Sequence, residues 1–144
     1  MAWILDLDGV LWLSDEPIPG SADAVARLRD RGERVLFVSN NSSAKVADYL
    51  AKLERVGVPT DAADLVTSAQ AAATLLEPEQ TALVCAGAGV EEALEARNVR
   101  TVRSGEADAV VVGWHRDFDY EGLTRAAHAV MAGARLIGTN DDAT

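Results

Sequence analysis

Residues 4–12 read Ile4-Leu5-Asp6-Leu7-Asp8-Gly9-Val10-Leu11-Trp12, an apolar run interrupted by two acids one residue apart. The aliphatic residues predict a short buried strand over Ile4–Asp6, so the acids fall at its carboxyl end. Two carboxylates held ~4 Å apart repel by about 4 kcal/mol at an effective dielectric near 20. A divalent cation reverses that sign, and a turn or helix cap can also use an acid pair. The reading of this stretch decides what the rest of the chain is built to support.

Outward from it, strand and helix patterns alternate. Pro17, Pro19 and Gly20 punctuate a loop, and Ser21 is placed to cap a helix with Ala24, Val25 and Leu28 on one face and Gly32 at its end. Arg34–Val38 reads as a second buried strand, ending in Ser39-Asn40-Asn41-Ser42-Ser43. Ser42 or Ser43 can cap the next helix, which carries Val46, Tyr49, Leu50 and Leu53 and is closed by Gly57. Leu65–Thr67 is a short third strand, and Ser68 can cap an alanine-rich helix that Pro78 terminates. The polar break Glu77-Pro78-Glu79-Gln80 then divides the chain. Beyond it the pattern restarts with strands at Leu83–Cys85, 99–102, Ala109–Val112 and Arg135–Ile137, and helices at 90–97 and 120–132. This alternation predicts the α/β class, a parallel sheet with helices on its faces. Residues 1–78 are expected to form part of a Rossmann-like sheet core, and 81–144 an α/β lobe.

Bulk properties narrow the function. A chain of 144 residues allows one compact domain, or one domain and a small lobe. Its formal charge of −10, without Lys/Arg clusters, argues against a nucleic-acid or anionic-membrane surface. No apolar run approaches the ~20 residues that span a bilayer, and residues 1–12 lack the basic start of a signal peptide. Cys85 is the single cysteine, so an internal disulfide is excluded and a reducing, cytoplasmic setting is expected.

An acidic protein that handles phosphate must attract it locally. In open parallel sheets ligands bind beyond the carboxyl ends of the strands, and both Asp6–Gly9 and Ser39–Ser43 fall there. Asp6 can attack phosphorus, while Asp8 can give a proton to the leaving oxygen and later take one from water. Mg²⁺ suits the available oxygens, with one Asp6 oxygen and a nearby main-chain carbonyl as ligands. Gly9 lets the backbone approach the bound group, and the Ser39 hydroxyl with the N–H of Asn40 can hold phosphoryl oxygens. The acid pair alone is equally suited to a turn; the serine-asparagine turn after the next strand favours the phosphate reading.

These residues resemble a family. DLDGVLW at Asp6–Trp12 and FVSNNS at Phe37–Ser42 are similar to the first and second motifs of the haloacid dehalogenase superfamily. Within it they resemble the branch of nitrophenyl, phosphoglycolate and pyridoxal phosphatases, which carries a large α/β cap. VTSAQAAATLL at Val66–Leu76 resembles the segment before the cap, and VVVGWHRDFDYEGL (110–123) with LIGTNDDAT (136–144) resembles the cap itself. The resemblance implies that Asp6 forms an aspartyl-phosphate and Asp8 is the general acid/base. It implies too that Ser39 binds the phosphoryl group, and that Mg²⁺ is held by the Asp6 side chain and the Asp8 carbonyl. The expected substrate is a small phosphorylated metabolite, and residues 1–78 and 81–144 become the N-terminal part of the core and an incomplete cap.

The same resemblance calls for a lysine and a further acidic pair located after the cap. Lys45 and Lys52, the only lysines, fall on the helix after the second motif, where surface roles are expected, and Asp141 and Asp142 belong to the cap-like stretch. Loss of one preorganised electrostatic group costs about 3–4 kcal/mol of transition-state stabilisation. The 144-residue chain alone is therefore expected to be a poor catalyst, and either to be the N-terminal part of a longer enzyme or to pair with another chain through a bare edge of its first strand. Two alternatives stand beside the phosphatase: an inactive fragment or pseudoenzyme that binds a partner chain, and a phosphotransferase using the same aspartate.

Other signals are weaker. Gly87-Ala88-Gly89 follows a strand as a dinucleotide loop does, but Glu92 stands where a third glycine is needed, which favours a plain turn. His115 and His128 have no partner at metal spacing. The loop Trp114-His115-Arg116-Asp117 can lie over the site and select the leaving group, or simply pack on itself. Trp3 and Trp12 are expected at core or rim, and Cys85 in the core.

Overall fold

The computed structural model describes residues 1–141; Asp142 and the final residue of the cap-like stretch, Thr144, lie outside the described residues. The chain forms two compact units, Met1–Ser39 with Val46–Thr67, and Asn40–Lys45 with the chain from Ser68 onward.

In the first unit β1 (Ala2–Asp6), β4 (Arg34–Ser39) and β5 (Leu65–Thr67) form a parallel sheet in the order β1-β4-β5. Asp6 pairs with Val38, and Ser39 with Thr67, so Asp6 and Ser39 end neighbouring strands. Helices α1 (Ser21–Asp30) and α2 (Val46–Arg55) supply the return connections. Val25, Val35, Phe37, Tyr49, Leu53, Val58 and Leu65 are buried between these layers. At ~1.5–3 kcal/mol for each large apolar side chain removed from water, this packing rather than helix propensity holds the unit.

The second unit contains a four-stranded parallel sheet in the order β7-β6-β8-β9, from β6 (Thr81–Cys85), β7 (Arg100–Val102), β8 (Ala109–Val112) and β9 (Arg135–Gly138). Alternate residues divide between its faces. Ala82, Ala109, Val111 and Ile137 meet α3 (Ser68–Ala73) and α4 (Ala88–Glu95), burying Ala69, Ala72, Leu76, Val90 and Leu94. Leu83, Cys85 and Val110 meet α5 (Tyr120–Met131) through Ala126 and Ala129. Small alanines let helices approach the sheet closely, which explains their abundance here.

Strands and helices lie where the hydrophobic pattern puts them, with ends shifted by a few residues. The serine caps do not. Gly20, in the left-handed region, precedes α1; Ser21 is its first residue and its hydroxyl donates to Ile18 O at 2.8 Å. Helix α2 begins at Val46, past both Ser42 and Ser43; Ser43 Oγ donates to Asn41 Oδ1, and Ser42 Oγ shares a 2.9 Å hydrogen bond with Thr139 Oγ1. Ser68 is the first residue of α3 and donates to Asn40 O. In each case a backbone carbonyl or polar side chain nearby in space captured the hydroxyl. The α3 helix also ends at Ala73, well before Pro78. The stretch between β1 and α1, expected as a loop, contains an antiparallel hairpin of β2 (Trp12–Leu13) and β3 (Glu16–Pro17). Pro17 is tolerated because this hairpin is a two-residue ribbon in which few N–H groups need a partner.

Candidate active site

Asp6 ends β1 and is exposed, its Oδ1 accepting the Leu7 N–H at 2.8 Å. The chain then closes a tight loop in which the Leu7 carbonyl accepts from Leu11 N at 2.9 Å and from Val10 N at 3.3 Å. Gly9 turns the loop at φ +78°, and its N–H donates to Trp12 O at 2.7 Å. Buried Leu7, Leu11 and Trp12 pin the loop, leaving Asp8 and Gly9 exposed. Hydrophobic anchors thus fix a polar tip.

Asp8 Oδ1 accepts the indole N–H of Trp12 at 2.7 Å. Lys52, on α2, places its ammonium 4.6 Å from the centre of the Trp12 ring, donates to Ser14 O and pairs with Asp15 Oδ1 at 3.3 Å. Its side chain is only 20% exposed. Lys52 is therefore not the freely solvated surface lysine that its position suggested.

Ser39 is 5% exposed and hydrogen-bonds through its side chain to Tyr49 of α2. Burial holds the Tyr49 phenol above its ordinary value, the Ser39 hydrogen bond pulls against this, and the charges of Asp8 and Asp48 add to the rise. Asn40 belongs by its contacts to the second unit, where its carbonyl accepts from Ser68 Oγ at 2.6 Å and Asn140 Nδ2 at 2.8 Å. The structure thus brings Asp6, Asp8, Gly9 and Ser39 to one end of the first sheet. Trp12, Lys52 and Tyr49 complete their surroundings and were not singled out for it in the sequence, because they meet the acids only through the fold.

The oxygens at this end, the Asp6 carboxylate and the Asp8 carbonyl, suit a hard divalent cation and would hold a soft metal poorly. Among the described residues no group of three or more His, Cys, Asp and Glu side chains is placed to hold a metal ion. A cation here would complete its shell with water and phosphate oxygens, as Mg²⁺ commonly does.

The residues behind the weaker signals make local contacts. A side chain on Gly87 would come within 2.6 Å of the Ser43 carbonyl oxygen, and one on Gly89 would overlap the Ala44 and Ser42 carbonyls. Gly89 N–H itself donates to Ser43 O at 3.0 Å. The glycines serve a close crossing of backbones, in keeping with a plain turn. In the 114–118 loop His115 Nδ1 lies 2.9 Å from Gly113 O, its ring meets Phe118 edge-on, and Arg116 stacks over Trp114. Trp12 is core and Trp3 is partly exposed at the rim, while burial holds the Cys85 thiol above its usual range.

A parallel α/β sheet with an acid pair after its first strand and a buried serine after the next is the frame of a known hydrolase class. Residues 3–100 match the model for haloacid dehalogenase-like hydrolases, and the chain belongs to this family. It is 33% identical to the acid sugar phosphatase of Staphylococcus saprophyticus subsp. saprophyticus, over 98% of this chain and 56% of that protein. Among solved structures it superposes on the p-nitrophenyl phosphatase of Archaeoglobus fulgidus with a TM-score of 0.91 at 30% identity, covering 98% of this chain and 55% of that one. The glycerol phosphate phosphatase of Mycobacterium tuberculosis, crystallised with magnesium, gives 0.89 at 33% identity, covering 98% and 44%. The chain spans about half the length of the curated relatives it matches. No described helix is long and apolar enough to cross a membrane.

Proposed function

We propose that the protein containing this chain is a Mg²⁺-dependent phosphomonoester hydrolase of small phosphorylated metabolites, with residues 1–78 contributing the N-terminal part of its catalytic core and 81–144 its cap. The observation that carries this reading is the pairing of Asp6 with Val38, which sets Asp6 and Ser39 at the ends of adjacent parallel strands with Asp8 exposed two residues on. Asp6 attacks phosphorus and forms an aspartyl-phosphate. Asp8 protonates the departing oxygen, then deprotonates the water that releases phosphate. Ser39, oriented by Tyr49, and the N–H of Asn40 bind phosphoryl oxygens, and Gly9 lets the backbone approach them. The Asp6 carboxylate and the Asp8 carbonyl would hold Mg²⁺, which when bound would neutralise the phosphate and carboxylate charges. The names of the relatives, which include sugar and glycerol phosphate phosphatases, support a small polyol or sugar phosphate as the substrate class.

Hydrolysis of p-nitrophenyl phosphate, measured with magnesium and after its removal by chelation, tests this reading. Asp6→Asn is expected to lower turnover by at least about a thousandfold, since it removes the nucleophile itself. Turnover indifferent to both changes would overturn it. For the 144-residue chain alone, slow turnover and pairing through the exposed edge of β1 are proposed together.

A further inference from the structure

We infer that Trp12 is a positioning residue for Asp8 and that Lys52 holds Trp12 in that role; the inference rests on the assignment of Asp8 as general acid and base. Asp8 is exposed at the tip of its loop, where a free carboxylate would sample several rotamers. Its partner is the opposite kind of group. Trp12 is 1% exposed, fixed by core packing and by the β2–β3 pairing, and its N–H reaches out of the core to Asp8 Oδ1 at 2.7 Å. The indole nitrogen can only donate, so it engages one carboxylate oxygen and leaves the other to carry and release the proton.

Lys52 adds two effects. Its ammonium, 4.6 Å from the ring centre, draws electron density from the indole face and strengthens the N–H as a donor. It is itself fixed by the Ser14 carbonyl, in a turn where Ser14 has φ +55°, and by Asp15 at 3.3 Å. Helix α2, the hairpin turn and the Asp8 loop are thereby joined through one aromatic ring. Structural packing alone requires neither an N–H aimed at the exposed acid nor a cation withdrawn from water onto the ring. Their coincidence points to control of Asp8.

The chemistry provides a readout that a packing role would not move. Transfer of phosphate from p-nitrophenyl phosphate to Asp6 expels a good leaving group that needs no proton, whereas glycerol phosphate needs the acid, and release of phosphate from Asp6 needs the base. The test uses the full natural gene product with Mg²⁺ and three changes: Trp12→Phe, Lys52→Met, and replacement of Trp12 by benzothienylalanine, which keeps the fused ring and lacks only the N–H. Rapid mixing separates p-nitrophenolate release from phosphate release.

For the benzothienyl protein, the p-nitrophenolate burst is expected within about threefold of the unmodified rate, with phosphate release and glycerol phosphate cleavage slowed about tenfold or more. Asp8→Asn should show the same split, and Lys52→Met a smaller one in the same direction. If Trp12→Phe fails to fold, the other two proteins still decide the matter. Equal loss on every step, or no change, would overturn the role of Trp12 while leaving the phosphatase reading intact. Full turnover by Asp6→Asn and after magnesium removal would instead sink that reading and this inference with it.

Discussion

Gly9 shows how one residue decides the shape of the acid loop. Its φ of +78° lies in the left-handed region, and a side chain there would meet no neighbouring atom, so the constraint is conformational rather than steric crowding. Gly9→Ala is expected to cost about 1–2 kcal/mol of stability, read from chemical denaturation, and a variant as stable as the parent would refute the constraint. The acids themselves were legible in the sequence because they end an apolar run. Their partners were not: Lys52 reaches Ser14 across 38 positions and Tyr49 reaches Ser39 from the next helix, and neither separation leaves a local pattern. Trp12 did carry a signal, four residues after Asp8, but side-chain direction was needed to tell an N–H donor from core filling.

Among the elements, β6 and β8 are tied at their starts by Asp108. Its Oδ2 accepts from the Thr81 N–H and from the Thr81 hydroxyl, each at 2.7 Å, while its own N–H donates to Thr81 O at 3.0 Å. The Thr81 backbone hydrogen bond, foremost, and its hydroxyl hold the Asp108 carboxyl below the usual carboxylate range. A depressed folded-state value means that this anchor contributes fully above the ordinary carboxylate range and is lost as pH falls from that range through the lower folded-state value. Asp108→Asn should therefore lower stability near neutral pH, and the difference should shrink in acid; a difference independent of pH would contradict the anchor. Strand and helix existence was readable from periodicity because each element buries one face. The caps and the hairpin were not, since hydroxyls take whichever carbonyl the fold delivers and a two-residue strand has no period to detect.

Across the whole molecule, the chain passes between the two units at three places, and the segment 40–45 belongs by its contacts to the second. Its serines and carbonyls are packed against Gly87, Gly89, Gly113 and Thr139, so the turn that follows the candidate phosphate serine is built by residues far along the sequence. In the first unit β1 lies at the edge of its sheet, with Ile4 66% exposed. An exposed apolar edge strand offers unpaired N–H and C=O groups to another strand. Sedimentation of the 144-residue chain is expected to show concentration-dependent association that Ile4→Lys weakens; a monomer at all concentrations would refute the pairing.

The sequence by itself determined the α/β class, the order of the parallel-sheet strands and their helices, and the place of Asp6, Asp8, Gly9 and Ser39 at strand ends, because these follow from the spacing of apolar residues along the chain. Only the tertiary structure decided which hydroxyls cap and which cross-link, that segment 40–45 joins the second unit, and that an indole from the core holds Asp8 beneath a lysine from α2. Those outcomes depend on direction and distance between side chains remote in sequence, which periodicity does not encode.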